Sequence, residues 1–165
     1  MGRGLEMTKS ESVVLPTNVR PIKYALTLTP DFGTFTFEGQ ESIDISILEP
    51  TSKIVLNCAE INIQKATLSL PNNTEIKSTE IIFDKDNETV TLQFQSELPI
   101  GISVLILCFT GDLNDKLRGF YRSNYKDRNG RECYLATTQF EATDARRAFP
   151  CWDEPALKAI FQLTL

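Results

Sequence analysis

Apolar and polar positions alternate with a period of two along much of this chain. Tyr24, Leu26 and Leu28 alternate with Ala25, Thr27 and Thr29, the spacing of a strand with one buried and one wet face. Similar alternation recurs at 34–38, at 42–47 and most regularly at 89–95, where Val90, Leu92 and Phe94 take one face and Thr91, Gln93 and Gln95 the other. Apolar stretches at 54–58, 61–70, 81–83 and 104–109 read as further strands, the last of them as a buried one. Turn chemistry separates them at Pro71-Asn72-Asn73, Asp84-Lys85-Asp86-Asn87, Pro99-Ile100-Gly101 and Arg128-Asn129-Gly130. Short strands at close spacing, with no 3.6-residue periodicity between them, predict an all-β domain of antiparallel sheets packed as a sandwich or saddle.

Helix signals come late. Asp144 to Phe149, and Asp153-Glu154 ahead of Pro155, predict one or two short helical turns within 144–159. Residues 1–14 read as a disordered tail and 15–165 as one domain. Phe161, Leu163 and Leu165 alternate with Gln162 and Thr164, so the last residues read as a strand, and the expectation is a domain that continues past Leu165.

Composition narrows the function. The chain has 165 residues, 41% hydrophobic and 24% charged, which suits one packed globular domain. Its formal net charge of −5 has the wrong sign for neutralising phosphates, so nucleic acid is an unexpected partner. No apolar run approaches the roughly 20 residues of a membrane span, and the first thirty residues lack the hydrophobic core of a secretory signal. A cytoplasmic location is expected. On that basis the sequons at Asn72 and Asn87 are expected to stay unmodified, and Cys58, Cys108, Cys133 and Cys151 to remain reduced thiols. Cys58 and Cys108 lie in apolar runs and read as small core hydrophobes. The chain contains no histidine, which removes two-His zinc sites and the base a cysteine hydrolase would need.

The anomalous segment is Thr137 to Pro155, TTQFEATDARRAFPCWDEP. If 135–140 is extended, Gln139 and Glu141 project from one face and Thr138 and Phe140 from the other. An amide oxygen beside a carboxylate suits a primary ammonium, which offers three donors and no acceptor. At about 4 Å in a partly dry cleft such a charge pair is worth roughly 4 kcal/mol before desolvation, so a peptide's free amino end is a fitting ligand. The alternative is that Glu141 pairs with Arg146 or Arg147 and only fixes the turn.

This run, TTQFEATDARRAFPCWDEPALKA, resembles the N-terminal domain of the gluzincin aminopeptidases, the aminopeptidase N family, and is most similar to the puromycin-sensitive branch. LPTNVRPIKYALTLTPD near the start, FTFEGQ at 35–40 and GDLNDKLRGFYRS at 111–123 resemble the same branch in the same order. The likeness covers residues 15 to 165. It implies a substrate-anchoring β-domain in which Gln139 and Glu141 hold the α-ammonium of a peptide. It implies as well a full-length zinc enzyme whose His-Glu-x-x-His helix, later Glu ligand and Gly-Ala-Met-Glu-Asn loop are absent here. No metal or cofactor is expected in this chain, no catalytic residue is assigned to it, and its expected partners are a peptide N-terminus and the parent's catalytic domain. By resemblance, Arg146, Arg147, Asp153 and Glu154 belong to a network supporting that loop, with Phe149 and Trp152 as core or interface anchors. The competing reading is a non-enzymatic β-sandwich module that keeps the fold and serves protein contacts.

Overall fold

A computed structural model describes residues 14–165. The tail expected over 1–14 therefore lies outside the described residues, apart from Val14, which is exposed. Eleven strands follow in order: β1 Val19–Asp31, β2 Thr36–Ile47, β3 Thr51–Asn57, β4 Ile61–Ser69, β5 Glu75–Lys77, β6 Glu80–Asp84, β7 Thr89–Leu98, β8 Gly101–Asp112, β9 Gly119–Lys126, β10 Glu132–Gln139 and β11 Ile160–Thr164. The larger sheet runs β11-β1-β2-β8-β4-β5 and the smaller β3-β7-β6, while β9 and β10 form a two-stranded ribbon. The fold is all-β and built from open sheets. Strand pairs are antiparallel with one exception, β1 with β11, which run parallel with Leu26 opposite Leu163.

Alternation explains the core. Tyr24, Leu26 and Leu28 of β1, Ile43, Ile45 and Ile47 of β2, Leu105, Leu107 and Phe109 of β8, and Val90, Leu92 and Phe94 of β7 point inward and join one contiguous apolar cluster. Each such side chain contributes about 1.5–3 kcal/mol by leaving water. The segments expected separately at 34–38 and 42–47 are one strand, because Gly39 and Glu41 keep the inward alternation between Phe37 and Ile43 although neither is apolar. It begins at Thr36, since 32–35 form the turn out of β1.

The run 104–109 is not buried on both faces. Val104, Ile106 and Cys108 face outward and are half-buried, so of the two cysteines expected in the core only Cys58 lies there. Of the helical turns expected in 144–159 one forms, a 3₁₀ turn at Ala145–Arg147. Asp153-Glu154-Pro155 leads only into a turn in which the Leu157 N–H bonds the Glu154 carbonyl at 3.0 Å.

Candidate functional site

The ribbon β9–β10 delivers the candidate residues. Gln139 is the last residue of β10 and pairs with Gly119 of β9. The strand ends there, so Glu141 is not placed by strand alternation, as a single extended run would have placed it. It lies in a turn that the Asp144 N–H closes on the Phe140 carbonyl at 2.8 Å, and the turn rather than the pleat sets where its carboxylate points. The Glu141–Ala142 peptide is cis. Gln139 and Glu141 are both exposed. Thr138 and half-buried Phe140 line an apolar concavity of about 530 Å³ between the ribbon, β1 and β11.

Charge pairing around this turn is selective. Between Gln139 and Pro155 the chain carries four carboxylates: Glu141, Asp144, Asp153 and Glu154. Asp144 accepts from Arg147 Nε at 2.8 Å, Asp153 from Arg146 Nε at 2.9 Å, and Glu154 Oε1 from the Leu15 N–H at 2.7 Å. Arg146 also reaches Glu88 at 3.3 Å, and Arg147 reaches Glu88 and, at 2.9 Å, Glu60. Both arginines are thus engaged by other carboxylates, and neither meets Glu141. Among the described residues Glu141 and Gln139 have no ion pair and no side-chain hydrogen bond. The pairing of Glu141 with Arg146 or Arg147 that the sequence left open does not occur.

The support beneath the turn is apolar. Phe149 contacts Tyr24, Phe140 and Phe161 edge-on at centroid distances of 6.0 to 6.2 Å, and Tyr24 stacks on Phe161 at 4.7 Å. Phe149 and Trp152 are core residues, and the Trp152 N–H donates to the Tyr24 hydroxyl at 3.2 Å. Asn57 and Cys151 exchange backbone hydrogen bonds at 2.8 and 3.0 Å, which ties this segment to β3.

Two features compete for attention and are weaker as ligand sites. A cleft of about 810 Å³ lies beside Glu60, Glu88, Arg118 and Arg147, but those carboxylates are already neutralised by the arginines. The two buried thiols are poor metal ligands: burial, with Glu41 nearby, pushes Cys58 up to about 12, and burial raises Cys151 as well. The described residues contain no cluster of three His, Cys, Asp or Glu side chains suited to a metal. The donor sets found among the described residues do not fit a zinc ion. No helix among the described residues is long and apolar enough to cross a membrane.

Sheet architecture and ribbon together define an open-sheet all-β domain that carries Gln139 and Glu141 exposed at the end of its ribbon. Residues 20–165 match the Peptidase M1 N-terminal domain, and the chain belongs to that family. It is 47% identical to Aminopeptidase 2 of Candida albicans over 160 residues, 96% of this chain and 17% of that protein. It is 44% identical to Aminopeptidase M1 of Arabidopsis thaliana over 154 residues, 92% of this chain and 17% of that protein. Against the puromycin-sensitive aminopeptidase of Caenorhabditis elegans the figures are 42% over 151 residues, 92% of this chain and 16% of that protein. The chain thus spans about a sixth of the length of the curated relatives it matches.

Proposed function

We propose that this chain is the substrate-anchoring domain of a zinc aminopeptidase that removes N-terminal residues from peptides, with Gln139 and Glu141 holding the peptide's α-ammonium. The observation that carries this reading is that, among the described residues, Glu141 is the one carboxylate of its segment left without a partner, exposed beside an exposed amide. A fixed acceptor pair selects a free amino end over an internal peptide bond, because an internal segment has no cation to offer it. In this reading the zinc centre belongs to a further domain, and the isolated 165-residue chain binds without cleaving. The zinc would supply water activation there, and this chain's part is orientation of the substrate. The cytoplasm is the proposed location, although the name of one yeast relative, Aminopeptidase 2, mitochondrial, shows that family membership alone does not fix the compartment.

The test is Glu141→Ala in the full-length enzyme, assayed on free-amino substrates. Loss of a charged hydrogen-bond partner should cost about 2 kcal/mol or more, a fall in kcat/KM of roughly 30-fold. Unchanged kcat/KM sinks the assignment.

A further inference from the structure

We infer that Arg147 is a positioning residue for the Gln139/Glu141 pair, holding both through its contacts with Gly119 and Asp144. The inference rests on the ammonium-binding reading, which the test below keeps separable.

The connection to Gln139 runs through backbone. Gly119 is its ladder partner at the end of the ribbon. Gly119 has φ +67, and a Cβ there would lie 2.7 Å from the Arg147 Cβ, so the stem of Arg147 packs directly on the strand that fixes Gln139. The connection to Glu141 runs through Asp144, whose carboxylate takes Arg147 Nε at 2.8 Å and whose N–H closes the turn on Phe140 at 2.8 Å. One side chain therefore touches the strand end on one side of Phe140 and the turn closure on the other.

The far end of Arg147 is anchored. Its side chain is 10% exposed, and the guanidinium also meets Glu60, in the β3–β4 turn, and Glu88, in the β6–β7 turn. Both glutamates sit at positive φ, 59° and 51°, a conformation that non-glycine residues disfavour. Their carboxylates are held in place by the same cation. Burial works against the charge of Arg147, but Asp144, Glu88 and Glu60 outweigh it and hold the guanidinium more firmly protonated than usual. A rigid fork meeting several carboxylates is a geometry that lysine's single ammonium cannot reproduce.

The test uses the 165-residue chain, with trialanine and N-acetyl-trialanine as probes in an NMR titration, and hydrogen exchange at the Asp144 amide. Wild type should prefer the free-amino peptide, and Glu141→Gln should abolish the preference. Arg147→Met should reduce the preference at least about five-fold while binding of the acetylated peptide is unchanged, and should speed Asp144 exchange about ten-fold or more. Arg147→Lys should restore part of both, and it keeps the question decidable should the methionine variant unfold. Equal losses for the two peptides would mark Arg147 as merely structural and overturn the inference. So would wild-type exchange and preference in Arg147→Met. If wild type shows no preference, the ammonium reading fails by itself, and the Asp144 exchange rate still decides whether Arg147 holds the turn.

Discussion

Glu41 sits on the inward face of β2, fully buried, opposite Leu26 on one side and Leu107 on the other, with no partner for either carboxylate oxygen among the described residues. Burial pushes its carboxyl well above the ordinary range, because the charged form would have to shed its water without compensation. Above about pH 4.5 the unfolded chain gives up this proton while the folded chain keeps it. The stabilising linkage is therefore complete in acid and drains away as pH rises toward the folded-state value. Glu41→Leu should raise stability at pH 8 by about 1–3 kcal/mol, or roughly 3–10 °C in the thermal midpoint, and the gain should shrink on acidification to pH 4. A variant no more stable than wild type at pH 8, or a gap independent of pH, would contradict an uncompensated carboxyl. Sequence alternation on either side of Glu41 was readable, but a carboxylate at an inward position hid the continuity between them. Gln139 and Glu141 stand out in the sequence by their polarity, but the extended run that would place both on one face ends at Gln139. That Glu141 is unpaired was not legible, since it depends on where Arg146 and Arg147 go, and those choices are made by Glu88 and Glu60, distant in sequence.

Within and between elements, the β2–β8 pairing shows what fixes register. Phe37 lies opposite Gly111, and Gly39 opposite Phe109. A Cβ on Gly39 would come within 2.2 Å of the Phe109 ring, and one on Gly111 within 2.4 Å of Phe37. Each ring thus covers the glycine across from it, so the two strands interlock through reciprocal pairs. Any slip by one residue would drive a ring against a side chain and turn the buried face outward. Gly39→Ala should cost at least about 1–3 kcal/mol through overpacking, and adding Phe109→Leu should recover part of that loss if the ring is the obstacle. Denaturant midpoints of the two single variants and the double variant decide it; strictly additive losses would rule out the interlock. The helical turn expected at Asp153-Glu154-Pro155 fails for a related reason of long-range demand. The Asp153 N–H bonds Asn57 Oδ1 at 3.0 Å, its carboxylate serves Arg146, and Glu154 serves the backbone at Leu15. Residues that read locally as caps are used here to fasten the segment to β3 and to the entry of the domain.

For the molecule as a whole, the sequence pattern was sufficient for an all-β architecture and for most strands, because one apolar face per strand is what a two-sheet core requires. It could not supply the order of strands in the sheet. Alternation at 161–165 predicted a strand, yet nothing in five residues names its neighbour, and the parallel pairing with β1 is decided by the path of the chain through Cys151 and Asn57. That placement has a consequence. β11 is the edge of the six-stranded sheet, and Ile160, Phe161 and Leu163 on it, with Leu165 just past it, are 58–79% exposed. Among the described residues its outer edge pairs with nothing, and it carries neither a charge nor a proline within Ile160–Thr164, the usual devices against edge-to-edge pairing. The 165-residue chain on its own should therefore associate as concentration rises, through β11 and the apolar concavity behind it. Sedimentation at about 5 and 200 μM should show a growing oligomer, and Leu163→Lys should suppress it by placing a charge on the edge. Because Leu163 is 58% exposed, the lysine can reach water and the fold itself should persist, as far-UV circular dichroism would confirm. A monomer at both concentrations, or association indifferent to Leu163→Lys, would show that this edge is protected in a way its exposed side chains do not reveal.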